Sequence, residues 1–511
     1  MPWYQPGPLT VPEMLTLNGH WRAAQPAFVA GNTALTWAQF VDACGRFAAA
    51  LQRRGLLQGD RVGIVMNNAV DTAVATFGAI YGGFVAVPIN VSVTDAAVNT
   101  MLANSGARAV VANGEHTTRI NKASLPELRA CIAVGQHAGW EEFAVVCSAE
   151  RSQPAATVAP SDECNIIYSS GTTGLPKGIV HDHRCRAAWA YDMTIALRYR
   201  PGAQTLCSLG MYSNISWVAM LATILVGGTI YIMPRFNVPD LLATIEQQRI
   251  THTTMVPVQL QRILDSDEFA PERVVSLESL MCCGSPLAPA VKQAVINAFG
   301  PAFLELYGLT EGLVTVLQPD DMATHWRSVG KPSPGQHLVI LDGNDQPCPV
   351  GTSGEIVGRG PLQMAGYHER ADANEEATWV GTDGERWLRT GDIGQLDEDG
   401  FLYLVDRKKD MIISGGQNIY PADIEAVVIE HTAVNDVAVI GVASEQWGET
   451  PLAVVVANND VEPDKLRDWA NSRLGKQQRL AGVVVIDDLP RNPNGKVLKR
   501  ELREQYRDAL A

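Results

Sequence analysis

The chain has 511 residues, of which 19% are charged and 46% apolar, the composition of an ordinary globular protein. At about 150 residues per domain, that length corresponds to roughly three domains. The 40 basic and 55 acidic residues give a net charge of −15, which argues against a nucleic-acid-binding protein and against docking on an anionic membrane. An anionic substrate is not excluded, because a pocket can be locally positive on a negative protein.

The N-terminal segment and the cysteines indicate whether the protein is secreted and in which redox state its thiols are kept. The N-terminal segment MPWYQPGPLTVPEM has neither the basic nor the apolar part of a signal peptide, so none is expected. The nine cysteines are scattered without a Cys-x-x-Cys pair, and Cys282–Cys283 is the one adjacent pair. Neither a disulfide framework nor a zinc site fits this spacing, which predicts reduced thiols in a cytoplasmic protein.

Strand-like and helix-like apolar segments alternate through the first four-fifths of the chain, which predicts parallel sheets covered by helices and therefore an α/β fold. The predicted strands are residues 61–66, 85–89, 109–112, 164–168 and 229–233, and the predicted helices are residues 71–81 and 217–225. No charged residue occurs between Arg200 and Arg235, but Pro201, Gly210 and Gly227–Gly228 interrupt this stretch. We therefore expect a buried helix and strand there rather than a membrane span.

The pattern of apolar and turn-forming residues changes after residue 350. Short apolar segments with Gly and Asp turns predict antiparallel, barrel-like meanders over 351–405, and DEDG at 397–400 predicts a hairpin. The charge cluster at 406–410 marks a predicted boundary between an N-terminal domain (1–406) of several packed subdomains and a small α+β C-terminal domain (407–511). In the C-terminal domain, strands are predicted at 437–442, 452–457 and 482–486, and a helix at 463–475.

A loop rich in glycine and hydroxyl side chains directly follows the predicted strand 164–168. Its residues are Ser169, Ser170, Gly171, Thr172, Thr173, Gly174, Leu175, Pro176 and Lys177. Glycines let backbone N–H groups approach an anion, the hydroxyls donate hydrogen bonds, and the lysine adds positive charge. The loop is not a Walker A motif, because Pro176 stands where that motif needs glycine. It is predicted to bind phosphate; the alternative is a flexible surface turn.

This loop resembles the phosphate-binding loop of the adenylate-forming superfamily, which includes acyl-CoA synthetases, the adenylation domains of peptide synthetases and luciferases. Six further motifs follow in that superfamily's order. They are YGLTE (307–311), GEI (354–356), TGD (390–392), DRKKD (406–410), SGGQNIYP (414–421) and PRNPNGK (490–496). The resemblance covers residues from about 30 to 505 and implies a large N-terminal region with a small mobile C-terminal domain.

The resemblance implies two half-reactions that use ATP, Mg²⁺ and coenzyme A. A carboxylate attacks the α-phosphate of ATP to form acyl-AMP and pyrophosphate, and a thiol then attacks the acyl carbon as AMP leaves. Both steps gather negative charge, so the site needs cations and oriented donors more than a protein nucleophile. We expect an AMP-forming acid–CoA ligase that acts on small molecules, with a homodimer as the expected assembly.

The resemblance also implies roles for individual residues. Lys496 is expected to bridge the attacking carboxylate and the α-phosphate, Thr310 to hydrogen-bond that phosphate, and Glu311 to hold Mg²⁺. Tyr307 is expected to stack on adenine. Further ATP contacts are expected from the phosphate loop and from Gly284, Ser285, Pro286, Glu305, Leu306 and Gly308.

Two more groups of residues are implied by the superfamily's ribose site and by its moving domain. Asp392, assisted by Arg407, is expected to bind the ribose hydroxyls. Lys409 is the expected hinge residue, because a hinge needs only a few positions that absorb backbone rotation. Gly415 and Gly416 are expected to line the channel for the pantetheine arm of coenzyme A.

The acyl pocket departs from the superfamily's pattern. Members commonly have Pro-x-Phe-His where this chain has Gly-Met-Tyr-Ser at 210–213, so Ser213 takes the place of the histidine that gates the pocket. Asn214 or Trp217 is a candidate to compensate. We expect Tyr212, Ser213, Trp217 and Cys283 to shape a mostly apolar pocket for a medium, bulky, aromatic or alicyclic acid.

Other interpretations stay open at this stage. An adenylating enzyme of the same superfamily would pass the acyl group to a carrier protein, although Gly415 and Gly416 favour free coenzyme A. A catalytically inactive nucleotide-binding homologue is the alternative from another class, and an oxidative, luciferase-like enzyme is a third. His181 and His183 stand two apart, as zinc ligands on a strand do, but no third ligand is near in sequence, so we expect no zinc site.

Overall fold

The computed structural model describes residues 8–169, 177–414, 417–444, 447–458, 461–476, 478–491, 495–507 and 509. The helices are α1 (Val11–Trp21), α2 (Trp37–Arg53), α3 (Val70–Tyr81), α4 (Asp95–Asn104), α5 (Phe143–Ser148), α6 (His183–Ala196), α7 (Asn214–Val226), α8 (Val238–Gln248), α9 (Pro257–Leu264), α10 (Pro289–Phe299), α11 (Met322–His325), α12 (Ala371–Glu376), α13 (Pro421–Val428), α14 (Pro463–Asn471) and α15 (Lys499–Gln505).

The strands of the first half of the chain are β1 (Pro26–Ala30), β2 (Thr33–Thr36), β3 (Arg61–Val65), β4 (Val85–Pro88), β5 (Ala109–Asn113), β6 (Ala130–Val134), β7 (Glu141–Glu142), β8 (Glu163–Ser169), β9 (Lys177–Asp182), β10 (Gln204–Cys207), β11 (Thr229–Ile232) and β12 (His252–Met255). Those that follow are β13 (Ser279–Cys282), β14 (Phe303–Gly308), β15 (Val314–Leu317), β16 (Lys331–Pro332), β17 (His337–Leu341), β18 (Gly354–Arg359), β19 (Gly366–Tyr367), β20 (Thr378–Val380), β21 (Arg386–Leu396), β22 (Leu402–Arg407), β23 (Ile412–Ser414), β24 (Gln417–Ile419), β25 (Val434–Ser444), β26 (Gly448–Ala457) and β27 (Gly482–Ile486).

Contacts divide the chain into two compact units. The first unit comprises residues 1–324, 332–337 and 359–388, and the second comprises residues 325–331, 338–358 and 389–511. The domain boundary at 406–410 stays a prediction.

The first unit contains two sheets built mainly from parallel strands. One sheet has the order β15-β14-β13-β12-β10-β11-β1-β2, in which the pairs from β14 to β1 are parallel. The other has the order β19-β9-β8-β4-β3-β5-β6-β7, in which β8, β9 and β19 form an antiparallel edge. Both sheets contribute to one hydrophobic core with α1, α2, α3, α6 and α7, whose largest side chains include Phe28, Phe40, Phe77 and Trp217.

The second unit combines a small sheet with an α+β subdomain. In the small sheet β22 pairs antiparallel with β21, and the DEDG segment closes this hairpin through the Asp397 carboxylate, which accepts from the backbone of Asp399 and Phe401. The subdomain has the sheet order β24-β23-β26-β25, with β27 parallel beside β26. Its apolar faces pack against α13 and α14 on one side and α15 on the other.

The predicted elements agree with these bounds to within three residues except at three places. The strand predicted over 452–457 begins at Gly448, so β26 is longer than expected. The predicted helix over 463–475 ends at Asn471, so α14 is shorter than expected. The GYHER segment (366–370) lies in the range predicted to form meanders, but Tyr367 pairs with Ile179 of β9 at the edge of a first-unit sheet. The uncharged stretch after Arg200 forms α7 and β11 as expected. Within the described parts of the chain, no helix combines the length and the apolarity that a bilayer crossing needs.

Candidate active site

The predicted phosphate loop connects β8 and β9, which pair antiparallel with Ser169 opposite Lys177. The two ends of the loop are therefore held side by side at the edge of the sheet. The predicted ligands Ser170, Gly171, Thr172, Thr173 and Gly174 lie outside the described residues. Their contacts with phosphate stay predictions.

Lys177, Tyr367 and Glu311 form one cluster at this edge. The Lys177 ammonium lies 4.8 Å from the centroid of the Tyr367 ring, and the Tyr367 hydroxyl donates to Oε1 of Glu311 across 2.9 Å. Tyr367 reaches both groups because β19 pairs with β9, the strand that begins at Lys177. Burial, and after it the Glu311 carboxylate, raises the pKa of Tyr367, so its phenol stays protonated and able to donate.

The YGLTE motif forms the end of β14 and the turn into β15. Leu309 and Leu313 close this turn through a backbone hydrogen bond of 3.1 Å, which leaves Thr310 and Glu311 at its tip. The Glu311 carbonyl accepts from the Met364 amide across 2.8 Å, so the tip is also fixed from the side. The carboxylate of Glu311 is a ligand that suits Mg²⁺ together with phosphate oxygens.

The backbone of Thr310 is held by a buried histidine. Nε2 of His181 lies 2.8 Å from the Thr310 carbonyl, and Nδ1 lies 3.1 Å from Nη2 of Arg186. A guanidinium can only donate, so Nδ1 accepts and Nε2 carries the proton that it donates to the Thr310 carbonyl. Burial, and after it Arg186, lowers the pKa of His181, which keeps the ring neutral. His181 is thus bound to backbone and guanidinium.

Arg186 is fully buried on α6 and donates to three neutral acceptors. Besides His181, these are Oδ1 of Asn165 at 2.7 Å and Oδ1 of Asn214 at 2.8 Å. Its guanidinium carbon lies 4.8 Å from the centroid of the Trp217 ring. Burial lowers the pKa of Arg186 to about 10, so the group is charged at neutral pH.

The two residues before the YGLTE motif face the interior. Glu305 is buried and ion-paired with Lys292 of α10, and burial, partly offset by that lysine, raises its pKa. Leu306 belongs to the hydrophobic core. The predicted contacts of Glu305 and Leu306 with ATP stay predictions. Tyr307 is partly buried and Gly308 is exposed at the end of β14.

The predicted adenine turn, Gly284–Pro286, follows β13 and stands next to the start of α7. Gly284 has φ +103°, and a Cβ at this position would lie 3.1 Å from Cδ1 of Ile215. Cys283 just before it is buried and anchored by its amide to the Met255 carbonyl across 3.1 Å. The turn and the predicted acyl-pocket helix are therefore neighbours.

The acyl-pocket residues adopt three different environments. Tyr212 is partly buried, and burial raises its pKa. Ser213 is the N-cap of α7, where its hydroxyl accepts from the Ile215 amide at 3.3 Å, so the residue in the histidine position starts a helix. Trp217 is fully buried, with its ring 5.8 Å from that of Phe77 and its indole N–H donating to the Met211 carbonyl. A pocket role for these residues stays a prediction.

The TGD motif lies in the second unit, on β21. Asp392 stands opposite Arg407 of β22, and Nε of Arg407 lies 3.1 Å from Oδ1 of Asp392. The Thr390 hydroxyl donates to the Ile356 carbonyl across 2.7 Å and accepts from the Asp392 amide across 3.0 Å, which links this motif to GEI on β18. The predicted ribose pair is thus preformed and oriented by backbone.

Lys496 lies in the same unit as this pair. Burial, the charge of Arg407 and that of Lys409 lower the pKa of Lys496 to about 7, while Asp392 acts in the opposite direction. Desolvation and Arg407 likewise lower the pKa of Lys409 to about 8. The predicted catalytic, ribose and hinge residues are therefore close enough for their charges to act on one another. Gly415 and Gly416 lie outside the described residues.

Other features of the described chain bear on the remaining predictions. The nine cysteines are free thiols within it. The described residues contain no group of three or more His, Cys, Asp or Glu arranged to hold a metal ion.

Sequence reasoning assigned no role to Tyr367 or Arg186 and considered His181 as a zinc ligand. The sequence around Tyr367 gives only a weak indication of function, because this glycine-containing segment lies between the motifs and belongs to none of them. Arg186 had a clearer one. It stands on the apolar face of α6, in register with Ala190 and Met193, where a charged side chain needs a specific reason.

Comparison with protein families gives two matches. Residues 19–368 match the family described as AMP-binding enzyme, and residues 423–496 match the AMP-binding enzyme C-terminal domain. The first match covers more than half of the chain.

Comparison with individual proteins gives relatives of nearly full length. The chain is 33% identical to a long-chain-fatty-acid–CoA ligase (FadD13) from Mycobacterium tuberculosis, over 92% of this chain and 93% of that protein. It is 31% identical to a feruloyl-CoA synthase from Amycolatopsis, over 93% and 95%. Among solved structures, ATP-bound MatB from Rhodopseudomonas palustris is 26% identical with a TM-score of 0.90, over 98% of this chain and all of that one.

Proposed function

This chain belongs to the AMP-binding enzyme family, and we propose that it joins a bulky aromatic or alicyclic carboxylic acid to coenzyme A at the expense of ATP. The first half-reaction forms acyl-AMP and pyrophosphate, and the second forms the thioester and AMP. Magnesium, when bound, neutralises phosphate charge as pyrophosphate leaves.

One observation carries the adenylation step. Tyr367 joins Lys177, at the end of the phosphate loop, to Glu311 at the tip of the YGLTE turn. A fixed cation and a fixed carboxylate side by side suit a metal-bound triphosphate, because Lys177 can neutralise phosphate oxygens while Glu311 takes the metal. Thr310 stands beside Glu311 with its backbone held by His181, and we assign its hydroxyl to the α-phosphate.

The second unit carries further residues that we assign to ATP. The Asp392 carboxylate is preformed beside Arg407 and suits the two ribose hydroxyls. Lys496 is assigned to the attacking carboxylate and α-phosphate, where its ammonium would stabilise developing negative charge. The charges of Asp392, Arg407 and Lys409 act on the pKa of Lys496, so these groups lie near it, which supports this assignment.

The proposed class of acid rests on the composition around the start of α7. Tyr212, Ile215 and Cys283 present mostly aromatic and apolar groups, with few polar ones. Such a lining favours a bulky ring over acetate. The two relatives named above act on a long-chain fatty acid and on a feruloyl group, and both kinds of acid are large and largely apolar.

The acceptor is proposed to be free coenzyme A, on the strength of the SGGQNIYP sequence and of the names of the two relatives. A cytoplasmic homodimer is the proposed form of the enzyme.

Mass spectrometry of one reaction mixture tests the whole proposal. The protein, Mg-ATP, coenzyme A and a panel of short, fatty, aromatic and alicyclic acids are incubated together, and again without coenzyme A. We expect an acyl-CoA and AMP from an aromatic or alicyclic acid, only when coenzyme A is present.

Two outcomes would contradict the proposal. Acyl-AMP that accumulates beside unused coenzyme A would point to a carrier-protein acceptor. No adenylate from any acid, together with no binding of Mg-ATP by calorimetry, would identify an inactive homologue.

A further inference from the structure

The burial of the charged Arg186 guanidinium among neutral groups needs a physical explanation. Its side chain is fully buried, and its hydrogen-bond partners Asn165, His181 and Asn214 are neutral groups. No ion pair joins it to a carboxylate of the described residues. Removing a charged group from water without a counter-charge is costly, and hydrogen bonds to neutral groups offset only part of that cost. A leucine or methionine would fill the same apolar helix face without the cost of burying a charge.

Each partner of Arg186 leads to a different part of the proposed site. Asn165 lies on β8, the strand that enters the phosphate loop, and stands opposite His181 of β9. His181 in turn donates a hydrogen bond to the Thr310 carbonyl. Asn214 is the first residue of α7, the helix at the proposed acyl pocket. One guanidinium thus binds three elements that must keep a common geometry during adenylation.

Arginine suits this position in two ways. Its planar fork reaches three acceptors in fixed directions, with Nε, Nη1 and Nη2 each serving a different partner. It also has no acceptor, so it fixes the His181 tautomer whose Nε2–H points at Thr310. A lysine would keep the charge but not the fork.

We propose that Arg186 is a positioning residue for adenylation, whose uncompensated charge attracts the carboxylate of the acid towards the start of α7. Through Asn214 and Trp217 the charge acts just behind Ser213, a position that itself carries no cation. In a buried, weakly polarisable surrounding, such a charge is felt over several ångströms. Through His181 the same residue orients Thr310. This inference rests on the proposed function.

The first experiment compares an acid with its neutral analogue. Benzoate, cinnamate and cyclohexanecarboxylate, and the corresponding primary amides, are titrated by calorimetry into the full-length protein with Mg-ATP replaced by AMP. Arg186→Met is expected to weaken binding of the acid at least tenfold and to leave binding of the amide within twofold. Arg184→Met is the control, because Arg184 lies on the same helix, is 70% exposed and pairs with Asp182.

Arg186→Lys separates the two parts of the role. It keeps the charge, so the preference for acid over amide is expected to persist. It loses the fork, so kcat for acid-dependent pyrophosphate release is expected to fall about tenfold with little change in KM for the acid. If Arg186→Met does not fold, the lysine variant still decides, because a wild-type kcat would overturn the orienting role.

The tautomer is read directly, without any acid. In the full-length protein labelled with ¹⁵N-histidine, the His181 signals are assigned by their loss in His181→Asn. We expect a protonated Nε2 and an unprotonated Nδ1 in the wild type and in Arg184→Met. In Arg186→Met the Nδ1 resonance is expected to shift, because this nitrogen loses the guanidinium donor. An unchanged Nδ1 chemical shift would overturn the contact.

These outcomes separate the inference from the proposed function. Equal loss of acid and amide binding, loss of neither, or no binding of any acid by the wild type would overturn the role of the charge. If the wild type binds the acids but releases no pyrophosphate with any of them, the proposed function fails while the binding comparison and the tautomer still decide the inference.

Discussion

Tyr367 donates its phenolic hydroxyl to the Glu311 carboxylate across 2.9 Å, although the two residues are 56 positions apart in sequence. The contact exists because β19 joins the edge of the sheet at β9 and places Tyr367 beside the YGLTE turn. A donor of this kind fixes the direction in which Glu311 presents its other lone pairs, so the geometry of the proposed metal site would depend on a residue outside the motifs.

We therefore expect Tyr367→Phe to weaken metal use without removing it. A hydrogen bond to a charged group contributes about 1.5–3 kcal/mol, which corresponds to roughly a 10- to 100-fold rise in the Mg²⁺ concentration needed for half-maximal pyrophosphate release. The measurement is a magnesium titration at fixed ATP. Tyr191→Phe, at a 37% exposed position on α6, is the control. An unchanged titration would mean that Tyr367 does not orient Glu311.

Lys496→Ala is expected to separate the two half-reactions. Loss of one charge-stabilising group typically costs about 3–4 kcal/mol, or roughly 10²–10³ in rate, so pyrophosphate release should fall by that factor. Thioester formation from chemically prepared acyl-AMP should be nearly unaffected. Lys465→Ala, at an exposed site paired with Glu462, should leave both steps unchanged. Equal losses in both half-reactions would remove Lys496 from the adenylation role.

The low pKa of Lys496 predicts an alkaline limb in the rate of adenylation. Burial and the charges of Arg407 and Lys409 lower its pKa to about 7, so the ammonium is protonated below that pH and neutral above it. Since the cation is the active form, kcat/KM for ATP should fall as the pH rises through about 7, because this parameter reports the free enzyme.

The pH profile of pyrophosphate release between pH 6 and 9 checks this expectation. Lys496→Arg should lack the limb, because a guanidinium keeps its charge throughout that range. A constant wild-type value up to pH 9 would show that Lys496 is not the titrating cation.

Gly312 is expected to be indispensable to the YGLTE turn. Its φ is +120°, and a Cβ there would come within 2.2 Å of the Leu362 carbonyl oxygen. Gly312→Ala adds backbone strain of about 1–3 kcal/mol and a collision with fixed backbone. It should lower the midpoint of thermal unfolding by several degrees and weaken Mg-ATP binding.

Gly343→Ala is the matched control for this change. A Cβ at Gly343 meets nothing within 4 Å, so this exposed substitution should stay within about 0.5 kcal/mol of the wild type. If both variants unfold at the wild-type temperature, the close approach of Gly312 to Leu362 does not exist in solution.

Part of the fold could be predicted from local sequence pattern. The elements β3, α3, β4, β5 and α7 could be predicted because each shows its hydrophobic pattern within one short stretch of sequence. The GYHER segment was misplaced for the opposite reason. Its two-residue strand has no periodicity of its own, and its partner β9 lies almost 190 positions earlier in the chain.

The candidate site divides in the same way. Glu305 and Leu306 belong to the segment that leads into the motif, yet both side chains are buried, Glu305 against Lys292 and Leu306 in the hydrophobic core. Ser213 was noticed as a missing histidine, but its use as the cap of α7 depends on where that helix begins.

The sequence by itself determined the family, the order of the motifs and the residue types that we propose for phosphate, metal and ribose, because these depend on the local chemistry of short segments. Only the tertiary structure decided that Tyr367 binds Glu311, that His181 holds Thr310, and that Arg186 is buried among neutral partners. Such contacts join residues far apart in the chain. Their geometry is set by strand pairing and helix packing, which no short segment contains.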